Sequence, residues 1–557
     1  MKSIVRLLSN YTGMGLKVSL IMTLMLTISC NDDFLEITPS NSYTEAVVFD
    51  DPNLATSHVN YAYRMIPWGF IRPLQLARMS DEISGRGGGS SYWRILEGHA
   101  TPTFTTLLNI WTPDGSYNFS QWRPIKQANE FLAHTAESAL DKDILDRLTG
   151  EIKTIRAYAY FRLASFYGGV PLITKPFSLN DDWKVPRNSY DEVMNFVFTE
   201  LDEAIPLLPP EYDQANRGRL TKGAAMAIKA RALLFYASPL NNPANDKSRW
   251  QKASDAAKAV IDLGQYSLYP DYKELFMEAG AWNDEVIWAR PTNSEIDREA
   301  RIEQLFYPNG WEGFGQVHPI QNLVDDYEMK NGLKIDQEGS GYDPQNPYVD
   351  RDPRFYYTIL YNGAPFKERT IETFLPDGKD SPGGLVSSWN ATETGYYPRK
   401  FITEEVSGIG WETSNPPWIW FRYGEVLLNY AEAQFQLGNE DVCREYINKI
   451  RSRPSVDMPP VTESGPALWE RLVNERRIEL VFEEHRFFDV RRWKIAEDIF
   501  SEDRMRMYIW KDPDSGKLSY DVRLLHEANF PPHMYWAPIP QSEIDKNGLL
   551  EQNPGYN

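Results

Sequence analysis

Cysteine is nearly absent from this chain, which has 557 residues and only Cys30 and Cys443. Two cysteines allow one disulfide at most, and none once Cys30 carries lipid, as argued below. Cys443 stands within a helical pattern and is predicted to be a small, buried residue of the core.

Positive charge is also in short supply. The chain has 58 Lys and Arg against 78 Asp and Glu, so its formal net charge is -20. Such a surface repels nucleic acid and anionic lipid headgroups, which argues against a DNA or RNA partner.

Catalytic and metal-binding signatures are missing. The histidines are scattered and show no His-Glu-x-x-His spacing, and no Gly-x-Ser-x-Gly nucleophile elbow is present; they are His58, His99, His134, His318, His485, His526 and His533. We therefore expect no metal and no cofactor. Carboxylate pairs for glycoside hydrolysis stay open, because their separation of about 5 to 9.5 Å is a spatial property.

Long apolar runs are lacking after Leu26, so nothing further along the chain is expected to span a membrane. The N-terminus has Lys2, Arg6 and Lys17, then an apolar stretch over residues 18 to 26, then Thr27-Ile28-Ser29-Cys30. This is typical of a signal peptide over residues 1 to 29, with Cys30 as the acylated first residue of a bacterial lipoprotein. Thr27 stands where a lipobox usually has Leu; the alternative is an ordinary secreted protein.

Helical periodicity marks the body of the chain. The apolar spacing predicts helices over residues 150 to 167, 221 to 237 with Thr221 as N-cap, 250 to 263, 425 to 439 and 442 to 451. The second and third are expected to form an antiparallel pair of tetratricopeptide type, and the last two a similar pair much later.

Between these pairs the composition changes to Pro, Gly, Asn and Asp with scattered aromatics. We predict a mostly α fold, a discontinuous tetratricopeptide-like scaffold with a loop-rich irregular insertion over residues 265 to 415. The helical regions would then occupy residues 30 to 264 and 416 to 557. Binding residues concentrate on loops that a rigid frame holds.

Several motifs follow one another in the order of a known family. They are Tyr167-Gly168-Gly169-Val170-Pro171, Asp352-Pro353-Arg354, Asn474-Glu475-Arg476-Arg477, Arg486-Phe487-Phe488-Asp489-Val490-Arg491-Arg492-Trp493 and Gln552-Asn553-Pro554-Gly555-Tyr556. With them the chain resembles the SusD/RagB family of outer-membrane nutrient-binding lipoproteins over nearly all its mature length. Structurally, Arg156 and the arginine pairs at 476–477 and 491–492 are expected to form buried ion pairs with Glu475, Glu479, Glu483 and Glu484.

The resemblance implies a glycan held by exposed aromatics on two loops. The N-terminal candidate contains Arg86, a run of glycines, Tyr92, Trp93 and Arg94, and the glycines place the two rings on or beside a loop. The second candidate runs from Tyr307 through Trp311 to Phe314. For both, the alternative is that the rings plug the interface between subdomains. Arg86, Arg94 and Arg301 would suit an acidic or sulfated sugar.

The resemblance further implies a cell-surface, outer-membrane lipoprotein that is not an enzyme. It would pass oligosaccharide to a SusC-like TonB-dependent transporter, although some relatives bind peptides. Asp32 and Asp33 directly after Cys30 resemble the acidic export signal of Bacteroidetes lipoproteins. The alternatives are a surface glycoside hydrolase and a helical-repeat adaptor that binds peptides or proteins.

Overall fold

The computed structural model describes residues 45–70, 74–84, 89–105, 107–112, 120–297, 301–408, 410 and 412–556. The predicted signal peptide, Cys30 and Arg86 lie outside the described residues. Among the described helices, none is both long and apolar enough to cross a bilayer.

Helices make up most of the regular structure. They are α1 Glu45–Asp50, α2 Pro52–Arg64, α3 Gln75–Arg78, α4 Gly89–Leu96, α5 Trp122–His134, α6 Lys142–Tyr167, α7 Tyr190–Ala204, α8 Lys222–Ala237, α9 Lys247–Asp262, α10 Ile302–Phe306, α11 Gln321–Asp326, α12 Pro353–Thr358, α13 Tyr423–Gln436, α14 Glu440–Arg451, α15 Gly465–Glu479, α16 Arg486–Arg492, α17 Ala496–Ile499 and α18 Gln541–Lys546.

The predicted helices correspond to α6, α8, α9, α13 and α14. Thr221 caps α8 as expected: its side chain accepts a hydrogen bond from the Ala224 N–H at 3.1 Å. The small residues of α8 are almost all buried, so neighbouring helices approach it closely. Cys443 of α14 is fully buried, as predicted.

The two helix pairs meet although some 160 residues separate them in sequence. Helix α8 packs on α9, α13 packs on α14, and α9 also packs against α13. The predicted discontinuous helical scaffold is therefore one continuous stack of helices in space.

Strands are short and occur only in two-stranded pairs within the described residues. They are β1 Ile83–Ser84, β2 Val286–Arg290, β3 His318–Pro319, β4 Ile359–Leu360, β5 Pro365–Phe366, β6 Arg369–Thr370, β7 Tyr397–Pro398, β8 Trp418–Arg422, β9 Arg504–Lys511 and β10 Leu518–His526. The pairs are β1 with β3, β2 with β8, β4 with β7, β5 with β6 and β9 with β10, all antiparallel. In the described part of residues 265–415 no helix exceeds six residues, in agreement with a loop-rich region; the boundaries assigned to it stay a prediction.

Four of the five arginines expected in buried ion pairs form them, but with other carboxylates. Arg156 pairs with Glu200, Arg476 with Asp489, Arg477 with Asp81, and Arg492 with Glu432 and Asp489. Arg491 differs, because its guanidinium lies 3.7 Å from the centre of the Phe487 ring and contacts no carboxylate of the described chain. The predicted kind of interaction is confirmed, whereas the named partners are wrong, since side chains dozens to hundreds of residues apart meet only in the folded chain.

The glutamates of α15 and the following turn instead anchor a central ion network. We use this name for ion pairs that join the helical scaffold to the irregular region. They are Glu475 with Arg354 and Arg451, Glu479 with Arg354, Arg422 and Arg453, Glu483 with Arg422 and Lys400, and Glu285 with Arg422 and Arg453. All these side chains are almost wholly buried, so each charge depends on its partners for stability.

Candidate functional site

The N-terminal candidate segment begins at Ser84, the last residue of β1. Ser84 pairs with His318 of β3, and α4 begins five residues later, at Gly89. Tyr92, Trp93 and Arg94 therefore lie within a helix, whereas the glycines had led us to expect the two rings on or beside a loop. The helix forms because Tyr92, Ile95 and Leu96 present a buried apolar face.

Within α4 the three predicted residues have different surroundings. Tyr92 is buried, with the Arg78 guanidinium 5.3 Å from its ring centre. Trp93 is half-buried and its ring lies 3.9 Å from that of His526. Arg94 is exposed and lies over the Phe104 ring. Tyr92 is thus a packing residue, and Trp93 has only part of its ring free for a ligand.

The second candidate segment starts at α10. Tyr307 is fully buried, and its hydroxyl donates to the carbonyls of Thr403 at 2.6 Å and Val406 at 2.9 Å. This fits the alternative in which the ring fills the interior. Phe314 is half-buried against the core, and Arg301 is half-buried just before α10.

Trp311 remains as the available ring of this segment. It ends the 3-10 turn Asn309–Trp311 and packs on the β5–β6 hairpin, with its ring 5.6 Å from that of Phe366 and 4.7 Å from the Arg369 guanidinium. The indole is half-buried, and its N–H has no hydrogen-bond partner. Because this N–H is itself buried, Trp311 can offer part of a ring face to a ligand but not the donor.

A wide groove of about 750 Å³ opens beside Trp311. Five glutamates line it, together with Lys367; they are Glu312, Glu368, Glu404, Glu405 and Glu412. Carboxylates accept hydrogen bonds from hydroxyl groups, and they repel acidic groups. The groove thus suits a neutral polyhydroxy ligand.

The pKa of Glu404, on the acidic side of this groove, opposes acid catalysis by that residue. Burial favours a raised pKa for Glu404, but the hydrogen bond and charge of Arg399, at 2.8 Å, outweigh it and lower the pKa. A general acid of a glycosidase needs a raised pKa. Glu404 therefore stays ionised and acts as an acceptor.

A third aromatic residue, which the sequence analysis missed, lies between the two candidate segments. Residues 386–393 run from Asn309, whose amide donates to the Val386 carbonyl at 2.9 Å, to Ser84, whose hydroxyl donates to Glu393 at 2.5 Å. Trp389 in this stretch is 68% exposed. The Gly and Ser residues around it were the same turn signal that singled out Trp311.

We define the candidate surface as Trp311, which lines the groove, and Trp389, which lies on the neighbouring stretch held by Asn309. Residues 386–393 link the starts of the two predicted segments, because they contact Ser84 of the first and Asn309 of the second. The β1–β3 pair holds Ser84 in place. Trp93 lies instead against β10, and no described contact joins it to Trp311. Within the described residues no group of His, Cys, Asp and Glu is arranged to hold a metal ion.

The mostly α fold, with its short strand pairs and an aromatic, carboxylate-lined surface, defines a class of binding proteins built on a helical scaffold. Two family models match the chain: "SusD family" over residues 278–556 and "Starch-binding associating with outer membrane" over residues 33–234. The chain belongs to the SusD family.

Individual relatives agree with this. The chain is 25% identical over 505 residues to the starch-binding protein SusD of Bacteroides thetaiotaomicron, covering 83% of each. It is 21% identical over 581 residues to a SusD-like protein of Bacteroides ovatus, covering 96% of each. A SusD-like carbohydrate-binding protein of Bacteroides fragilis superposes with a TM-score of 0.76 at 26% identity, over 90% of this chain and 100% of that one.

Proposed function

We propose that this protein captures oligosaccharide at the cell surface and delivers it to a SusC-like TonB-dependent transporter, without catalysing its hydrolysis. The observation that carries the proposal is the half-buried Trp311 ring beside a glutamate-lined groove, with the exposed Trp389 on the neighbouring stretch that Asn309 holds. Flat rings pack on the apolar faces of sugars, and carboxylates accept from their hydroxyl groups. Membership of the SusD family supports a glycan as the ligand.

The absence of catalysis is part of this proposal. The lowered pKa of Glu404 makes this residue unsuited to be the proton donor that glycoside hydrolysis needs. The glutamates then serve as hydrogen-bond acceptors for a ligand that is passed on intact.

The anchor belongs to the proposal as well. Cys30, which lies outside the described residues, would carry acyl chains that hold the protein on the outer membrane beside its transporter. A binding protein without catalytic chemistry contributes to uptake only when it is kept close to the channel, and acylation confines it there.

Affinity electrophoresis against a panel of neutral polysaccharides tests the proposal. Trp311→Ala and Trp389→Ala should each weaken retardation at least tenfold, which is about 1.4 kcal/mol. Trp93→Ala should have a smaller effect, because His526 covers part of that ring. Trp183→Ala is the matched control, since Trp183 is 52% exposed and does not belong to the candidate surface.

Two results would reject parts of the proposal. Unchanged retardation in both Trp311→Ala and Trp389→Ala would rule out the candidate surface. Release of reducing ends from a polysaccharide that binds would replace capture by hydrolysis.

A further inference from the structure

A second groove carries the opposite charge to the rest of the molecule. It lies between the last turn of α2, residues 215–219 and the end of β2, and has a volume of about 320 Å³. Four arginines line it: Arg64, Arg217, Arg219 and Arg290. None of the described residues that line it is acidic, although the chain as a whole has a net charge of -20.

Only two of these four guanidinium groups are neutralised. Arg219 pairs with Glu151 at 2.8 Å and Arg290 with Asp297 at 2.8 Å. The side chains of Arg64 and Arg217 are exposed and have no carboxylate within 4 Å in the described part of the chain. Two positive charges are thus left over in one groove.

The positive charges are close enough to influence each other. Burial is the main cause that lowers the pKa of Arg290, and the charge of Arg64 lowers it further. Like charges held together at a surface cost free energy unless an anion offsets them. Neither Arg64 nor Arg217 makes a side-chain hydrogen bond within the described chain, so both guanidinium groups are free to contact an anion.

One wall of this groove, at Gly218 and Arg219, is rigid. The Arg219 guanidinium donates to Asn216 at 3.0 Å and to Asn60 at 2.9 Å, in addition to Glu151. Next to it, Gly218 has φ +90°, and a Cβ there would lie 2.9 Å from Cδ of Pro291. Arg219 and the backbone beside it are thus held in place, and a group that is already held loses little entropy when a ligand binds.

An aromatic groove of about 430 Å³ continues from it. Arg217, Gly218 and Arg219 line both grooves, and the second adds Trp282, Tyr266 and Tyr212, with Glu211 and Asp284 among its other lining residues. Each volume lies within the range of small-ligand sites. Guanidinium groups beside aromatic rings match a sugar that carries an anionic substituent, because arginine binds carboxylate or sulfate in a bidentate manner and the rings pack on the sugar.

We propose that the arginine groove, lined by Arg64, Arg217, Arg219 and Arg290, binds the anionic groups of an oligosaccharide, either carboxylate or sulfate. This site is separate from the candidate surface. The inference rests on the proposed glycan binding and adds a second, charge-selective site to it. The two sites divide ligands by charge, since the groove at Trp311 is lined by glutamates and repels the groups that the arginine groove attracts.

The test measures binding of three tetrasaccharides by calorimetry: tetragalacturonate with carboxylates only, a chondroitin sulfate tetrasaccharide with carboxylates and sulfates, and neutral maltotetraose. At least one acidic tetrasaccharide should bind, and its affinity should fall when NaCl rises from about 25 to about 150 mM. The double variant Arg64→Gln/Arg217→Gln should weaken it at least tenfold. This variant should fold normally, because neither side chain has a partner to lose.

The matched control is Arg523→Gln/Lys252→Gln, which removes the same charge from exposed positions elsewhere and should change the affinity less than twofold. Binding of tetragalacturonate supports a carboxylate ligand, and binding of the chondroitin tetrasaccharide alone supports a sulfated one. The inference is overturned if neither acidic tetrasaccharide binds, if the double variant binds as wild type does, or if an Asp-rich octapeptide binds more tightly than both. A different result would reject the proposed function itself: no polysaccharide would retard the intact protein in affinity electrophoresis.

Discussion

Glu479 lies at the centre of the central ion network, and replacing it tests whether buried charge holds the two parts of the chain together. Its side chain is fully buried. One carboxylate oxygen accepts from Arg422 and Arg453 at 2.8 Å each, and the other accepts from Arg354 at 3.0 Å. Glu479→Gln keeps the shape of the side chain but removes the charge.

The expected cost follows from what each arginine keeps. Arg354 retains Glu475 and Asp352, Arg422 retains Glu285 and Glu483, and Arg453 retains Glu285. Breaking a buried ion pair costs about 3 to 5 kcal/mol, and with these remaining partners we expect about 3 kcal/mol. An unfolding entropy near 2.1 cal/mol/K per residue gives about 1.2 kcal/mol/K for this chain, so the melting temperature should drop by about 2 to 3 °C.

Differential scanning calorimetry is the assay. The control is Glu445→Gln, which breaks an exposed pair with Lys449 and should shift the melting temperature by less than about 0.5 °C, because exposed pairs contribute little. If the melting temperature of Glu479→Gln is the same as that of the Glu445→Gln control, the reasoning about the network is refuted.

Three further predictions concern single residues. Burial, with the charge of Asp81, raises the pKa of Glu82 to about 8, so the folded chain keeps a proton that the unfolded chain releases above about pH 4.5, and stability falls as the pH rises to about 8. Glu82→Gln should therefore show a smaller drop in melting temperature than the wild type between about pH 6 and about pH 9. An equal drop in both proteins would contradict the raised pKa. Burial raises the pKa of the Cys443 thiol to about 12, so iodoacetamide should label it in urea but not in the native protein; rapid native labelling would contradict the buried position. Cys30→Ala should leave polysaccharide binding intact and release the protein from the membrane fraction when the transporter is absent; retention there would contradict the anchor.

Local sequence signals predicted the helices well. The apolar spacing of α6 and the Thr221 cap of α8 act over a few residues, so they are visible without the fold. Four of the five arginines that the sequence predicted to form buried ion pairs do so in the structure, because an arginine within an apolar pattern needs a partner. Which carboxylate each would meet was beyond the sequence, as Arg477 with Asp81 shows: those residues lie 396 positions apart.

The candidate site was less accessible to such reasoning. Tyr307 and Trp311 are four residues apart and carry the same turn and aromatic signals, yet Tyr307 is buried with its hydroxyl paired and Trp311 borders a groove. Trp389 was missed because only the packing of residues 386–393 between Asn309 and Ser84 makes it part of the same surface. The glycines before Trp93 indicated a loop, whereas burial of Tyr92 and Leu96 favours a helix directly after them.

By itself, the sequence determined the helical class, the scarcity of cysteine, the acidic balance and the order of motifs typical of the SusD family. These depend on residue type and on spacing within a few helical turns. The tertiary structure decided which rings face solvent, which carboxylate meets each arginine, and that two grooves of opposite charge exist on one chain. The physical reason is that exposure and electrostatic pairing are set by atoms brought within a few ångströms by folding, from segments that the sequence leaves hundreds of residues apart.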